Sequence, residues 1–230
     1  ETSDAEREVL TVEGFLIREL AGCICDGCLV RQRFAFEFPD EPPEALDRGI
    51  KDAGYYEDHN LLFREGSAPK DHFARLIVEN PSFAKGDAGF EDAVWQHPAF
   101  RHVLRQLLSD HRVLVYEGDS YILFTRLHDV LGARMTDIES YASSVSANAP
   151  EGEPFTVASL RAGAAATHPL YGLDMPDDFY EGLLDAGGLL SSCTLAGTKV
   201  FIAGSEGRLS ATDLIELIVS QNEGIERDDL

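Results

Sequence analysis

No apolar run in this chain approaches the ~20 residues that a bilayer-spanning helix needs, and no basic-then-apolar leader stands at its start. A soluble intracellular protein of the bacterial cytoplasm is therefore expected, with no membrane contact. Basic residues are also scarce: 19 Lys and Arg stand against 41 Asp and Glu, a formal net charge of −22. That deficit excludes a uniformly basic nucleic-acid groove, since neutralising phosphates takes clustered Lys and Arg. Four cysteines are too few for a disulfide framework, and three of them (Cys23, Cys25, Cys28) fall within six positions, which fits a reducing compartment. Catalytic signatures are missing as well. There is no Walker loop, no G-x-G-x-x-G, no H-E-x-x-H and no G-x-S-x-G elbow, and none of the seven histidines stands at a spacing that suggests a base with its orienting acid. The expectation is a non-enzymatic chain with no catalytic residues and no cofactor.

What is present is apolar material for packed cores, 44% of 230 residues, arranged with internal self-similarity. Three segments share one grammar: an amphipathic helix with a polar or Gly stop, a short apolar strand, a polar turn and a second apolar strand. The first runs from Ala45 to Gly54, then Tyr55-Tyr56, the turn 57–60, and Leu61 to Phe63. The second runs from Phe100 to Asp110, then Val113 to Tyr116, the turn 117–120, and Tyr121 to Phe124. The third runs from Pro176 to Ala186, then Leu189 to Leu195, the turn Ala196-Gly197, and Thr198 to Ile202. In the middle copy Phe100, Val103, Leu104, Leu107 and Leu108 form a single apolar stripe at i, i+3, i+4, i+7, i+8. Upstream partner helices are expected over residues 4–20, capped by Ser3 with Glu6, at 71–79 and 90–95, and at 156–162.

The predicted fold class is mainly helical α+β: tandem winged-helix-like units, each of two or three helices plus a β-hairpin wing. The expected limits are 1–67 for the first unit and 68–142 for the second, which includes a connecting helix from Leu127 to Tyr141 with Val130, Leu131, Ile138 and Tyr141 inward. Small and polar residues at 143–154 read as a linker. Residues 155–209 read as the third unit. From 210 to 230 a helix capped by Ser210, or the start of a further helical unit, is expected, and the chain could be a piece of something longer.

The stretch Pro154 to Arg161, with His168-Pro169-Leu170 and Asp178-Phe179-Tyr180-Glu181-x-Leu183-Leu184, resembles a segment of bacterial sigma-factor-like helix-turn-helix proteins. The resemblance covers residues 154–230. It implies a multi-winged-helix architecture and a DNA-associated role.

The charge is uneven. Residues 1–67 hold 7 basic and 16 acidic side chains, residues 68–150 hold 8 and 11, and residues 151–230 hold 4 and 14. Only the middle stretch nears balance, and there Arg101 and Arg105 stand i, i+4 opposite the apolar stripe, with His102 and Gln106 beside them and Arg112 entering the hairpin. In a winged helix that is the helix that enters the major groove, where Arg can contact guanine bidentately. Arg101, His102, Arg105 and Arg112 are thus the candidate contacts to double-stranded DNA, against an ordinary solvated helix face. The other two units expose Asp47 and Asp52 beside Arg48 and Lys51, or Asp177, Asp178, Glu181 and Asp185 with no basic residue; the second set would repel phosphate, and these carboxylates suit the helix dipole, solubility, or a basic or helical protein partner. An acidic protein-interaction scaffold is accordingly the second functional reading, and homodimerisation through terminal helices is open. Cys23, Cys25 and Cys28 could begin a zinc site, but a fourth ligand such as His59, His72 or Cys193 would have to arrive through the fold, so packing is the plainer reading and no metal is expected. Tyr55, Tyr56, Trp95, Tyr116, Tyr121 and Phe124 are expected to pack rather than to stack on bases.

Overall fold

The computed structural model describes residues 11–21, 24–163, 168–204 and 209–221. The cap expected at Ser3 and Glu6 and the helical pattern expected after Gly224 lie outside the described residues. Helix α1 (Val12–Glu19), strand β1 (Ile24–Asp26), helices α2 (Gly27–Glu37) and α3 (Pro43–Asp52), and strands β2 (Tyr55–Asp58) and β3 (Leu61–Arg64) form a first repeat. Its pattern returns in α4 (Pro69–Glu79), β4 (Ser82–Ala84), α5 (Asp92–Gln96), α6 (Pro98–Ser109), β5 (Val113–Glu117) and β6 (Ser120–Leu123). After α7 (Phe124–Leu131) it returns again in α8 (Met135–Asn148), β7 (Pro154–Phe155), α9 (Val157–Ala162), α10 (Asp177–Gly187), β8 (Ser191–Leu195) and β9 (Thr198–Ile202), with a 3-10 turn at Pro169–Leu173. Helix α11 (Ala211–Gln221) follows, capped as expected by Ser210, whose Oγ accepts from Asp213 N–H.

The fold is α+β and mainly helical, and its hairpins lie in three small antiparallel sheets rather than one continuous sheet. Strand order is β1-β3-β2, β4-β6-β5 and β7-β9-β8, so the last strand of each repeat sits in the middle. It is flanked by its hairpin partner and by a short strand that follows the repeat's first helix. These short strands, two or three residues long, have no alternation to read, and the sequence reading lacked them, as it lacked α2.

Two expectations need correction. Residues 143–148, expected as linker, are the last turns of α8, because Ala142 and Val145 turn a buried face inward while Ser143 is exposed and Ser144 and Ser146 are half-buried. The single connecting helix expected from Leu127 to Tyr141 is two helices, divided where Gly132 takes a left-handed φ of 70° and caps α7. With the break, Val130 and Leu131 face solvent, whereas Ile138 and Tyr141 are buried as expected.

The chain divides into two compact units, Glu1–Ile77 with Lys85–Val103, and Val78–Ala84 with Leu104–Leu230. In the first, Phe15, Leu16 and Leu20 of α1 and its end close on Val30 and Phe34 of α2, Leu46 and Ile50 of α3, and Tyr55 and Leu62 of the hairpin. The Tyr55 hydroxyl donates to the Leu20 carbonyl at 2.5 Å, and Arg31 on α2 bridges Asp47 on α3 and Glu57 on β2 at 3.2 and 2.6 Å. An aromatic cluster joins β3 to later elements of the same unit: Phe63 meets Phe73 of α4, and Phe73 meets Phe100 at the start of α6. In the second unit, Ile138, Tyr141 and Val145 of α8, Phe179, Tyr180, Leu183 and Leu184 of α10, and Leu114 and Ile122 of the middle hairpin share one core. The Tyr141 and Tyr171 hydroxyls meet at 2.9 Å, and burial raises the pKa of both.

Candidate functional site

The outward face of α6 forms as its spacing predicts. Val103, Leu104 and Leu107 are buried, and Arg101, His102, Arg105 and Gln106 are exposed. The helix ends where His111 takes a left-handed φ of 53°, with His111 N–H donating to Leu108 O and Arg112 N–H to Leu107 O. That pair of bonds is a Schellman stop, here with a histidine where glycine is usual. It sets Arg112, also exposed, at the mouth of β5, where its carbonyl accepts from Phe124 N–H.

The matching helices of the other repeats are differently placed. On α3, Arg48 and Lys51 are exposed beside Asp52, while Asp47 is held by Arg31. Helix α10 is covered by β5 of the preceding hairpin within the second unit. A Cβ added at Gly182 would lie 2.9 Å from Val115 Cβ, so glycine is what lets helix and strand approach. The hairpin turn is fastened too, with Gly118 N–H donating to Asp178 Oδ2 at 2.6 Å. Two further α10 carboxylates also have partners within the second unit. Asp177 pairs with Arg161 at 2.7 Å, and Asp185 holds Lys199 and the Ser192 hydroxyl. Burial raises the pKa of Glu181, and Asp178 adds to the rise.

A second convergence lies in the first unit. The β2–β3 turn carries His59 and Asn60 at φ 49° and 66°, the paired left-handed geometry of a tight hairpin. It presents Asp58 and His59 to His97, which stands between α5 and α6. His59 Nδ1 lies 2.7 Å from Asp58 Oδ1, and His97 Nε2 lies 3.5 Å from Asp58 Oδ2, near enough for attraction but outside a formed hydrogen bond. His97 is 1% exposed, and its Nδ1 accepts from Ala99 N–H at 3.2 Å, capping the first turn of α6. Burial lowers its pKa, and Asp58 opposes the shift. Sequence reading named His59 only as a distant ligand for the cysteines. Its meeting with His97, 38 positions away, has no spacing that could reveal it.

Cys25 donates its thiol to the Glu19 carbonyl at 3.0 Å, Cys28 is exposed, and among the described residues no cysteine joins a cluster of three ligand side chains. Cys23 lies outside the described residues. The aromatics Tyr56, Trp95, Tyr121 and Phe124 pack against Phe63, Phe100, Phe83 and His128 respectively and Tyr55 is buried, as expected, whereas Tyr116 is exposed, against the expectation. No helix among the described residues is long and apolar enough to cross a membrane. No family model matches the chain, and no curated protein matches it.

Proposed function

We propose that this chain is a non-enzymatic tandem winged-helix binding module that contacts duplex DNA through α6 of its second repeat. The order helix–strand–helix–helix–strand–strand, with the last strand central in its sheet, recurs three times and supports the winged-helix reading. The observation that carries the DNA assignment is the contrast between third helices. Helix α6 exposes Arg101, His102 and Arg105, whereas α10 is covered by β5 and is acidic. A DNA-associated role agrees with the resemblance of residues 154–230 to sigma-factor-like proteins.

The test is fluorescence anisotropy with a labelled duplex across a salt series. Binding should fall as salt rises, and Arg101→Ala with Arg105→Ala should abolish it, each base-contacting arginine being worth about 1–3 kcal/mol. An unchanged affinity would remove α6 from the interface.

A second reading, an acidic protein-interaction scaffold, is favoured by one feature. Phe36 of α2 and Ile17 of α1 are 86% and 69% exposed in a repeat that carries much of the negative charge. Absence of DNA binding at low salt, together with a partner lost on Phe36→Ser, would select it.

A further inference from the structure

Asp58, His59 and His97 bring together two imidazoles and a carboxylate whose donor atoms all lie within 4.8 Å of one another. Asp58 and His59 come from a hairpin turn fixed by two consecutive left-handed residues, and His97 from a buried position at the start of α6. The His97 ring is held on three sides, with Phe73 at 5.0 Å, His59 at 5.1 Å and Phe63 at 5.5 Å between ring centroids. Its Nε2 is buried with no hydrogen-bond partner and is aimed at the Asp58 carboxylate. Leaving such an atom unsatisfied is unfavourable, and a ligand at Nε2 would relieve it. His59 is exposed, so an ion could reach the cluster from solvent.

We propose that Asp58, His59 and His97 bind a borderline divalent transition-metal ion of the Zn²⁺ or Co²⁺ class, through a carboxylate oxygen of Asp58, His59 Nδ1 and His97 Nε2, with water completing the shell. The donor set selects this class: Mg²⁺ and Ca²⁺ prefer all-oxygen shells, and thiophilic ions such as Cu⁺ need sulfur. The site is independent of the DNA reading, since none of its residues belongs to the arginine face.

The protons balance by tautomer shifts. While Nδ1 of His97 accepts from Ala99 N–H, the neutral ring carries its proton on Nε2. Coordination at Nε2 sends that proton to Nδ1, and the Ala99 N–H loses its acceptor. On His59 the proton shared between Nδ1 and Asp58 moves to Nε2 as Nδ1 takes the metal. Metal binding and the α6 cap therefore compete for one ring, which gives the site a signature that a surface carboxylate site lacks: the Ala99 amide must respond.

The experiment titrates the full chain with Co²⁺, followed by its visible absorption, and with Zn²⁺, followed by calorimetry and by ¹⁵N–¹H spectra. The expected result is one ion per chain with a dissociation constant of about 10 µM or tighter, and a shift of the Ala99 amide that saturates at one equivalent. His59→Ala and Asp58→Asn should each weaken binding at least about tenfold and abolish the amide shift. Circular dichroism of both variants should be unchanged, because the substitutions lie in an accessible turn. His97→Gln is the less decisive variant, since it also alters a buried packing position. Weak binding of several ions that His59→Ala leaves unaltered, or no saturable binding, would overturn the proposal and leave the three groups as a hydrogen-bonded clasp.

Discussion

Gly182 stands at the closest approach of α10 to the middle hairpin. An interior helical Gly→Ala change ordinarily stabilises by about 0.5–1 kcal/mol. Here the added methyl meets the branched side chain of Val115 at 2.9 and 3.1 Å, and overpacking of that kind costs about 1–3 kcal/mol. The clash wins, so Gly182→Ala should lower stability in urea unfolding. In a Val115→Gly background, which removes the Cβ at 2.9 Å together with its methyls, the same change should raise it, and destabilisation in both backgrounds would contradict this packing. His168 supplies a second test. Its Nδ1 accepts from Leu170 N–H and caps the 3-10 turn, as its place before Pro169 suggests. Burial holds its pKa below the ordinary histidine value, with Asp137 opposing. A base with a depressed folded pKa leaves the unfolded chain binding the proton first. Its contribution is therefore full above the ordinary value of about 6.5 and is lost as pH falls through the folded one. Stability should decline from pH 7 towards pH 5, and His168→Asn should flatten that decline. At this scale the sequence was informative where a residue's chemistry is local, as at Ser210. It was silent where chemistry depends on distant chain, as at Asp58 and His97.

Among the elements, the third helix and hairpin of each repeat were legible because an uninterrupted apolar stripe and a polar turn sit next to each other in sequence. Strands β1, β4 and β7 were not, since two or three residues carry no period and their partners lie 35 to 48 residues away. The end of α8 was misread for a related reason: its serines weigh against helix in isolation, while Val145 gains from burial in the shared core. Val145→Ala should accordingly cost about 1–3 kcal/mol by loss of two buried methyls, a value a flexible linker would not show in the same unfolding assay. The fastening of the middle hairpin to α10 is testable separately. Asp178→Ala removes the acceptor of Gly118 N–H, and hydrogen exchange should quicken at Gly118 with a loss of about 0.5–1.5 kcal/mol.

For the molecule as a whole, a net charge of −22 sets the terms of any encounter with nucleic acid. Long-range repulsion slows approach and is screened beyond about 10 Å at 0.1 M salt, so a local basic face can act at contact distance without reversing the overall field. That is why the assignment rests on one helix face and not on composition. Which faces are covered was the part that sequence could not disclose, because an Asp that caps a neighbouring hairpin and an Asp that meets solvent look alike on paper. The most direct measurement is a ¹⁵N–¹H map of the full chain titrated with a short DNA duplex at low salt. Perturbations should gather between Ala99 and Arg112 and leave α10 unchanged. Perturbations centred on α3 or α10, or none at all, would contradict the account.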